Sequence, residues 1–237
     1  MKKTINVLLL SFIAGILIAI GGTVFLSCES KYLGALLFSV GLFFIVEGKY
    51  KLYTGAIGYL FENDKNENLQ LITILLGNFL GTFLISNILR LTRVSDFLIE
   101  KSEKLVDIKL NDNWYSIFFL SCMCGILIYL GVDNYKKSTN NFSKILGIII
   151  CVVVFIISGF EHCIANMFYF SLANSWNLKS LLYILIMVLG NSLGGLLIPT
   201  VLKVCKSNEN IIWKKASNQM IRGLINYRQN LNITSAS

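Results

Sequence analysis

The chain has 237 residues, 55% of them hydrophobic and only 14% charged, with a mean hydropathy of +0.67 and a formal charge of +8. Soluble domains carry about 25% charged residues, and several apolar runs here approach or exceed the roughly 20 residues that cross a bilayer core. Composition therefore excludes an ordinary soluble protein and predicts an all-α integral membrane protein. The basic residues lie in loops and tails, with no basic helix interleaved with aromatics, which argues against a nucleic-acid partner.

Six spans are expected along the chain, at about 5–26, 33–61, 71–91, 114–132, 145–171 and 180–203. The opening "MKKTINVLLLSFIAGILIAIGG" has the basic start of a signal peptide, but its apolar run is too long and no A-x-A site follows, so a retained first span is expected. Polar connectors such as "ENDKNENLQ" (62–70) and "DNYKKSTNNFSK" (133–144) separate the spans, and residues 92–113 form a longer charged connector with a short helix. After span six, residues 204–237 are basic and mildly amphipathic. An even number of spans leaves both termini on one side. That side holds the larger share of Lys and Arg, so the termini are expected in the cytoplasm, in the plasma or inner membrane.

The chain repeats itself. "AGILIAIGG" (14–22) matches "CGILIYLGV" (124–132), an offset of 110, and "GNFLG" (77–81) returns as "GNSLG" (190–194), an offset of 113. Repeat one covers about 5–91 and repeat two about 114–203, in one transmembrane domain over 1–237. Three spans per repeat force opposite insertion. This gives an inverted-repeat architecture, which places a substrate site at the repeat interface near the midplane. The second and fifth spans, equivalent in the two repeats, both look broken. "GKYKLYTGAIG" (48–58) puts glycines and lysines inside one, and "SGFEHCIANMFYF" (158–170) puts Glu161 and the only histidine, His162, inside the other. Non-helical backbone at membrane depth persists only where it lines a cavity or is buried in protein.

An ionisable group within a span points to function, because burying its charge costs several kcal/mol. His162 is read as functional, against the blander possibility of a neutral imidazole holding a helix break. Glu161 is read as structural, bonding free N–H groups of the break. Asn78, Asn166 and Asn191 carry amides that satisfy freed backbone or join helices. The six cysteines fit neither a disulfide framework nor a zinc site and read as small buried hydrophobes. With one histidine and no H-E-x-x-H, no metal or other cofactor is expected, nor an enzyme active site.

"SGFEHCIANMF" resembles the signature of the formate/nitrite transporter family, and "KLYTG", "AGILIAIGG", "LGNFLG" and "LGNSLGG" fall in that family's places and order. The resemblance implies a homopentamer of aquaporin-like protomers, each with its own pore for small monovalent anions. It implies that His162 is the central pore histidine and Thr54 its hydrogen-bonding partner on the first break. Lys109, in "DIKLNDNW", matches a lysine that attracts anions. Phe38, Leu42 and Phe155 are implied for an outer apolar constriction and Leu52, Tyr53 and Ile128 for an inner one, with Asn191 nearby on the substrate pathway. Gly125, Lys51 and Ala56 depart from formate-channel relatives and lean toward the hydrosulfide-channel branch. The expected activity is passive or proton-linked movement of formate, nitrite or hydrosulfide. An anion crossing two apolar rings must shed water at high cost, and an imidazole whose unperturbed pKa is about 6.5 can donate a hydrogen bond or a proton to it. The alternative, an aquaporin-type channel for small neutral solutes, expects NPA-like breaks, whereas Pro199 is the only proline.

Overall fold

A computed structural model describes residues 2–234, with side chains over 3–207. Its described elements are all helical: α1 (Lys2–Ser27), α2 (Lys31–Glu47), α3 (Tyr53–Ala56) running into a 3-10 turn (Ile57–Tyr59), α4 (Lys65–Arg90), α5 (Ser95–Leu110), α6 (Trp114–Lys137), α7 (Asn141–Ile157), α8 (Cys163–Leu172) and α9 (Leu178–Thr234). Four stretches are long and apolar enough to cross a membrane, Lys3–Ser27, Lys65–Arg90, Trp114–Lys137 and Leu178–Ser207. The remaining apolar helices come in two broken pairs, α2 with α3 and α7 with α8. Two compact units are resolved, Met1–Leu197 and Ile198–Ser237. All of the site geometry below belongs to the first.

Both breaks are built by the same local chemistry. At the end of α2, Tyr50 N–H donates to Ile45 C=O and Lys49 N–H to Val46 C=O, with Lys49 at φ 55°. At the end of α7, Phe160 N–H donates to Phe155 C=O and Gly159 N–H to Ile156 C=O, with Gly159 at φ 72°. These are the paired bonds of a Schellman stop around a left-handed residue. Every partner in the second stop lies 110 residues beyond its counterpart, the offset read from the sequence repeat.

The helices that hold the breaks cross at glycine. Gly15 lies against the Asn78 backbone, and Gly125 in the same way against Asn191, where a Cβ would run into the carbonyl. The crossing of α6 with α9 therefore leaves no room for a side chain at Gly125. The 92–113 connector is more than a short helix. The sixteen residues of α5 bury Leu98, Ser102 and Val106 at four-residue spacing, and Ser102 Oγ donates to the Tyr169 carbonyl of α8. Its outer face is ordinary solvated charge, where a hydrogen bond from Lys104 holds the Glu100 carboxyl below the usual range.

Lys31 and Lys101, expected as loop charges, and Arg90, expected at the end of span three, cap helix ends instead. Lys101 Nζ donates to Leu26 C=O at the end of α1, Lys31 Nζ to Ile157 C=O at the end of α7, and Arg90 Nη1 to Leu172 C=O at the end of α8. Each meets carbonyls that a helix leaves unpaired at its C-terminus.

Candidate functional site

The two breaks meet in the interior. His162 is the N-cap of α8, and its Nδ1 accepts the Ala165 N–H at 3.2 Å. A backbone N–H can only donate, so Nδ1 carries no proton there and the neutral ring holds its proton on Nε2. Nε2 lies 2.9 Å from Thr54 Oγ1 on α3, so its N–H donates to that hydroxyl oxygen. The Thr54 hydroxyl proton is then left to point at a third group. Both residues are buried, and Phe155 stacks on the imidazole with centroids 5.8 Å apart.

Glu161 was expected to bond free N–H groups of the break. Its carboxylate instead accepts from Lys109 Nζ at 2.6 and 2.8 Å and from Asn166 Nδ2 at 2.8 Å. The reason is geometric. Glu161 N–H is already taken by Leu120 C=O, and Cys163 N–H by Asn191 Oδ1. Lys109, expected to attract anions, is in this ion pair with its side chain only 13% exposed. Asn166 spends its other Nδ2 proton on the His162 carbonyl, which leaves its buried Oδ1 without a partner among the described residues.

The backbone of the breaks is held by Asn78 and Asn191. Asn191 Oδ1 accepts from Cys163 N–H while Nδ2 donates to Ser121 C=O and Glu161 C=O. Asn78 Oδ1 accepts from Tyr53 N–H while Nδ2 donates to Ser11 C=O and Lys51 C=O. These are again equivalent partners in the two repeats. Both protons of Asn191 Nδ2 are engaged with backbone carbonyls.

All six expected constriction residues are buried. Phe38 meets Phe155 edge-to-face at 6.0 Å. Leu42 and Leu52, expected in opposite rings, both line one cavity of about 770 Å³ beside the first break. The ring of Tyr53 sits near Ser192, a residue no sequence signal singled out. Ser192 gives its own proton to Val188 C=O, so the Tyr53 phenol donates to Ser192 Oγ at 2.9 Å.

The sequence profile described as "Formate/nitrite transporter" matches residues 1–205. The chain belongs to the formate/nitrite transporter family. That places it among multi-pass membrane transport proteins rather than enzymes. Among curated relatives, it is 26% identical to the formate channel FocA of Haemophilus influenzae, over 59% of this chain and 52% of that protein. The chain thus spans about half the length of that relative in the match. It is also 26% identical to an uncharacterized transporter, YrhG, of Bacillus subtilis, over 69% of each chain. A solved "pentameric formate channel with formate bound" superposes with a TM-score of 0.73 at 22% identity, covering 87% of this chain and 98% of that one. An "FNT family ion channel" superposes at 0.70 with 20% identity, covering 83% and 88%. These two likenesses establish the fold.

Proposed function

We propose that the chain is a passive or proton-linked channel for small monovalent weak-acid anions (formate, nitrite or hydrosulfide) across the cell membrane. The observation that carries this reading is the buried His162–Thr54 pair, a polar couple among buried apolar side chains at the junction of two helix breaks. A bare anion in such a place is very unfavourable, while one that meets a hydrogen-bond donor there, or gains a proton, faces a smaller barrier. The tautomer set by Ala165 makes the Thr54 hydroxyl the donor that meets the anion, with His162 orienting that hydroxyl and backing it with a proton. The family's transport role and the chain's likeness to a formate channel support this reading.

In the same proposal, residues 5–203 form one transport unit as two inverted repeats, and the chain assembles as a homopentamer with a pore in each protomer. Both termini, including the basic stretch 204–237, face the cytoplasm. Flux into sealed proteoliposomes tests the activity. Saturable, pH-dependent entry of at least one of the three anions is expected, with no entry of glycerol. Glycerol entry without anion entry overturns the reading in favour of a neutral-solute channel.

A further inference from the structure

The cavity beside the first break is ringed by lysines with no assigned work. Lys49, Lys51, Lys136 and Lys144 line it, against two carboxylates, Glu62 and Glu67. None of the four takes part in an ion pair among the described residues. The contrast with Lys31, Arg90, Lys101 and Lys109, each tied to a carbonyl or a carboxylate, is sharp. Lys136 stacks its ammonium 3.4 Å over the Tyr59 ring, and Lys51, Asp133 and Glu62 are all near enough for their charges to interact with it.

Lys49 adds an independent observation. It occupies the left-handed position of the first Schellman stop at φ 55°, where the second stop has Gly159. A side chain there costs about 1–2 kcal/mol relative to glycine, and backbone outliers of this kind collect at functional sites. The second break does without a side chain at that position. The first carries a lysine aimed into a cavity that already holds three others.

We propose that this vestibule is a binding site for a divalent, phosphate-type oxyanion, held by Lys49, Lys51, Lys136 and Lys144 above Leu52. The volume of about 770 Å³ is many times the share of one water molecule, so a hydrated oxyanion fits. A monovalent anion neutralises one ammonium, whereas a divalent oxyanion bridges several by charge-assisted hydrogen bonds. Such an anion is too strongly hydrated and too charged to follow a weak acid past Leu52. Once seated it blocks the route, a consequence that rests on the channel reading.

Binding is measured on the full-length protein in zwitterionic detergent, by calorimetry and by the thermal unfolding midpoint, with sodium phosphate against sodium chloride at matched ionic strength. Phosphate is expected to bind saturably and raise the midpoint, and chloride to do neither. Lys49→Gly, which relieves the backbone, and Lys136→Gln are each expected to weaken binding about tenfold, the effect of losing one charge-assisted contact. Lys31→Gln, on a lysine committed to a helix carbonyl, is expected to bind as the parent does. Equal responses to phosphate and chloride, or parental affinity in Lys49→Gly and Lys136→Gln, overturn the proposal. So does loss of the phosphate response on adding phosphatidylglycerol vesicles, which assigns the lysines to lipid headgroups. Because binding is read without transport, a chain that binds phosphate but carries no weak-acid anion fails the channel reading alone.

Discussion

The two helix breaks share a backbone and differ in nearly everything else. Residues 48–52 and 158–162 have equivalent Schellman bonds, equivalent asparagine clamps and equivalent bonds to α1 and α6, Lys51 N–H to Leu10 C=O and Glu161 N–H to Leu120 C=O. Yet Lys49 stands against Gly159, Lys51 against Glu161 and Leu52 against His162. The first break is basic and lines the cavity of about 770 Å³. The second ends in a buried acid and a buried imidazole, Glu161 and His162. Duplication preserved what the backbone needs, because unpaired amides inside a membrane protein cannot be tolerated. The side chains that do not serve the backbone were free to diverge into different tasks.

The clamps give the largest expected effect. Asn78→Ala and Asn191→Ala each strand three backbone partners, at roughly 1–3 kcal/mol per buried group. Each is expected to abolish a stable assembly in size-exclusion chromatography, and to do so equally. An Asn78→Ala protein that remains assembled while Asn191→Ala is lost would break the equivalence of the two repeats.

Next come the residues where the breaks differ. Lys109→Ala leaves Glu161 buried without a countercharge, which costs about 3–5 kcal/mol, whereas Lys51→Ala, at an exposed side chain, is expected to stay within about 0.5 kcal/mol. Thermal unfolding of the two variants checks this, and Lys109→Met with Glu161→Gln is expected to recover most of the loss. His162→Phe removes both the α8 cap and the partner of Thr54. It is expected to lower stability by about 0.5–2 kcal/mol and to abolish weak-acid flux. Asparagine is a good N-cap, so His162→Asn is expected to restore the stability while the pH response of flux changes. An unchanged pH profile in His162→Asn would make the histidine a cap and nothing more. The smallest effect is at the left-handed positions, where Lys49→Gly is expected to gain about 1 kcal/mol and Gly159→Ala to lose about as much. Both are read from unfolding midpoints without added anion.

What was legible in the sequence followed from patterns that are local or repeated. Hydropathy located the long spans, and glycines and charges inside apolar runs located the breaks. The paired "GN" motifs placed Asn78 and Asn191 at matching positions. The Lys109–Glu161 pair was not legible, because 52 residues separate the partners and no periodicity links them. The length of α5 was hidden by its composition, since Leu98, Ser102 and Val106 form a stripe too narrow to stand out among charges. The hydrogen-bonding state of His162 needed the Ala165 N–H, which exists as a partner only once α8 has formed.

The short helices also change places. The ten residues of α8 are all buried, and their late carbonyls accept from Ser86, Arg90 and Ser102, on α4 and α5. In the other direction, α3 and its 3-10 turn lie with Gly55 against Val132, Gly58 against Tyr129 and Tyr53 on Ser192. Each half of the chain thus lends a segment to the other. An isolated first half would present an empty slot where α8 belongs and a loose α3 with nothing to receive it. Such a chain must finish folding after its last helix emerges from the ribosome, and a halved polypeptide should recover only when its missing half is supplied alongside it.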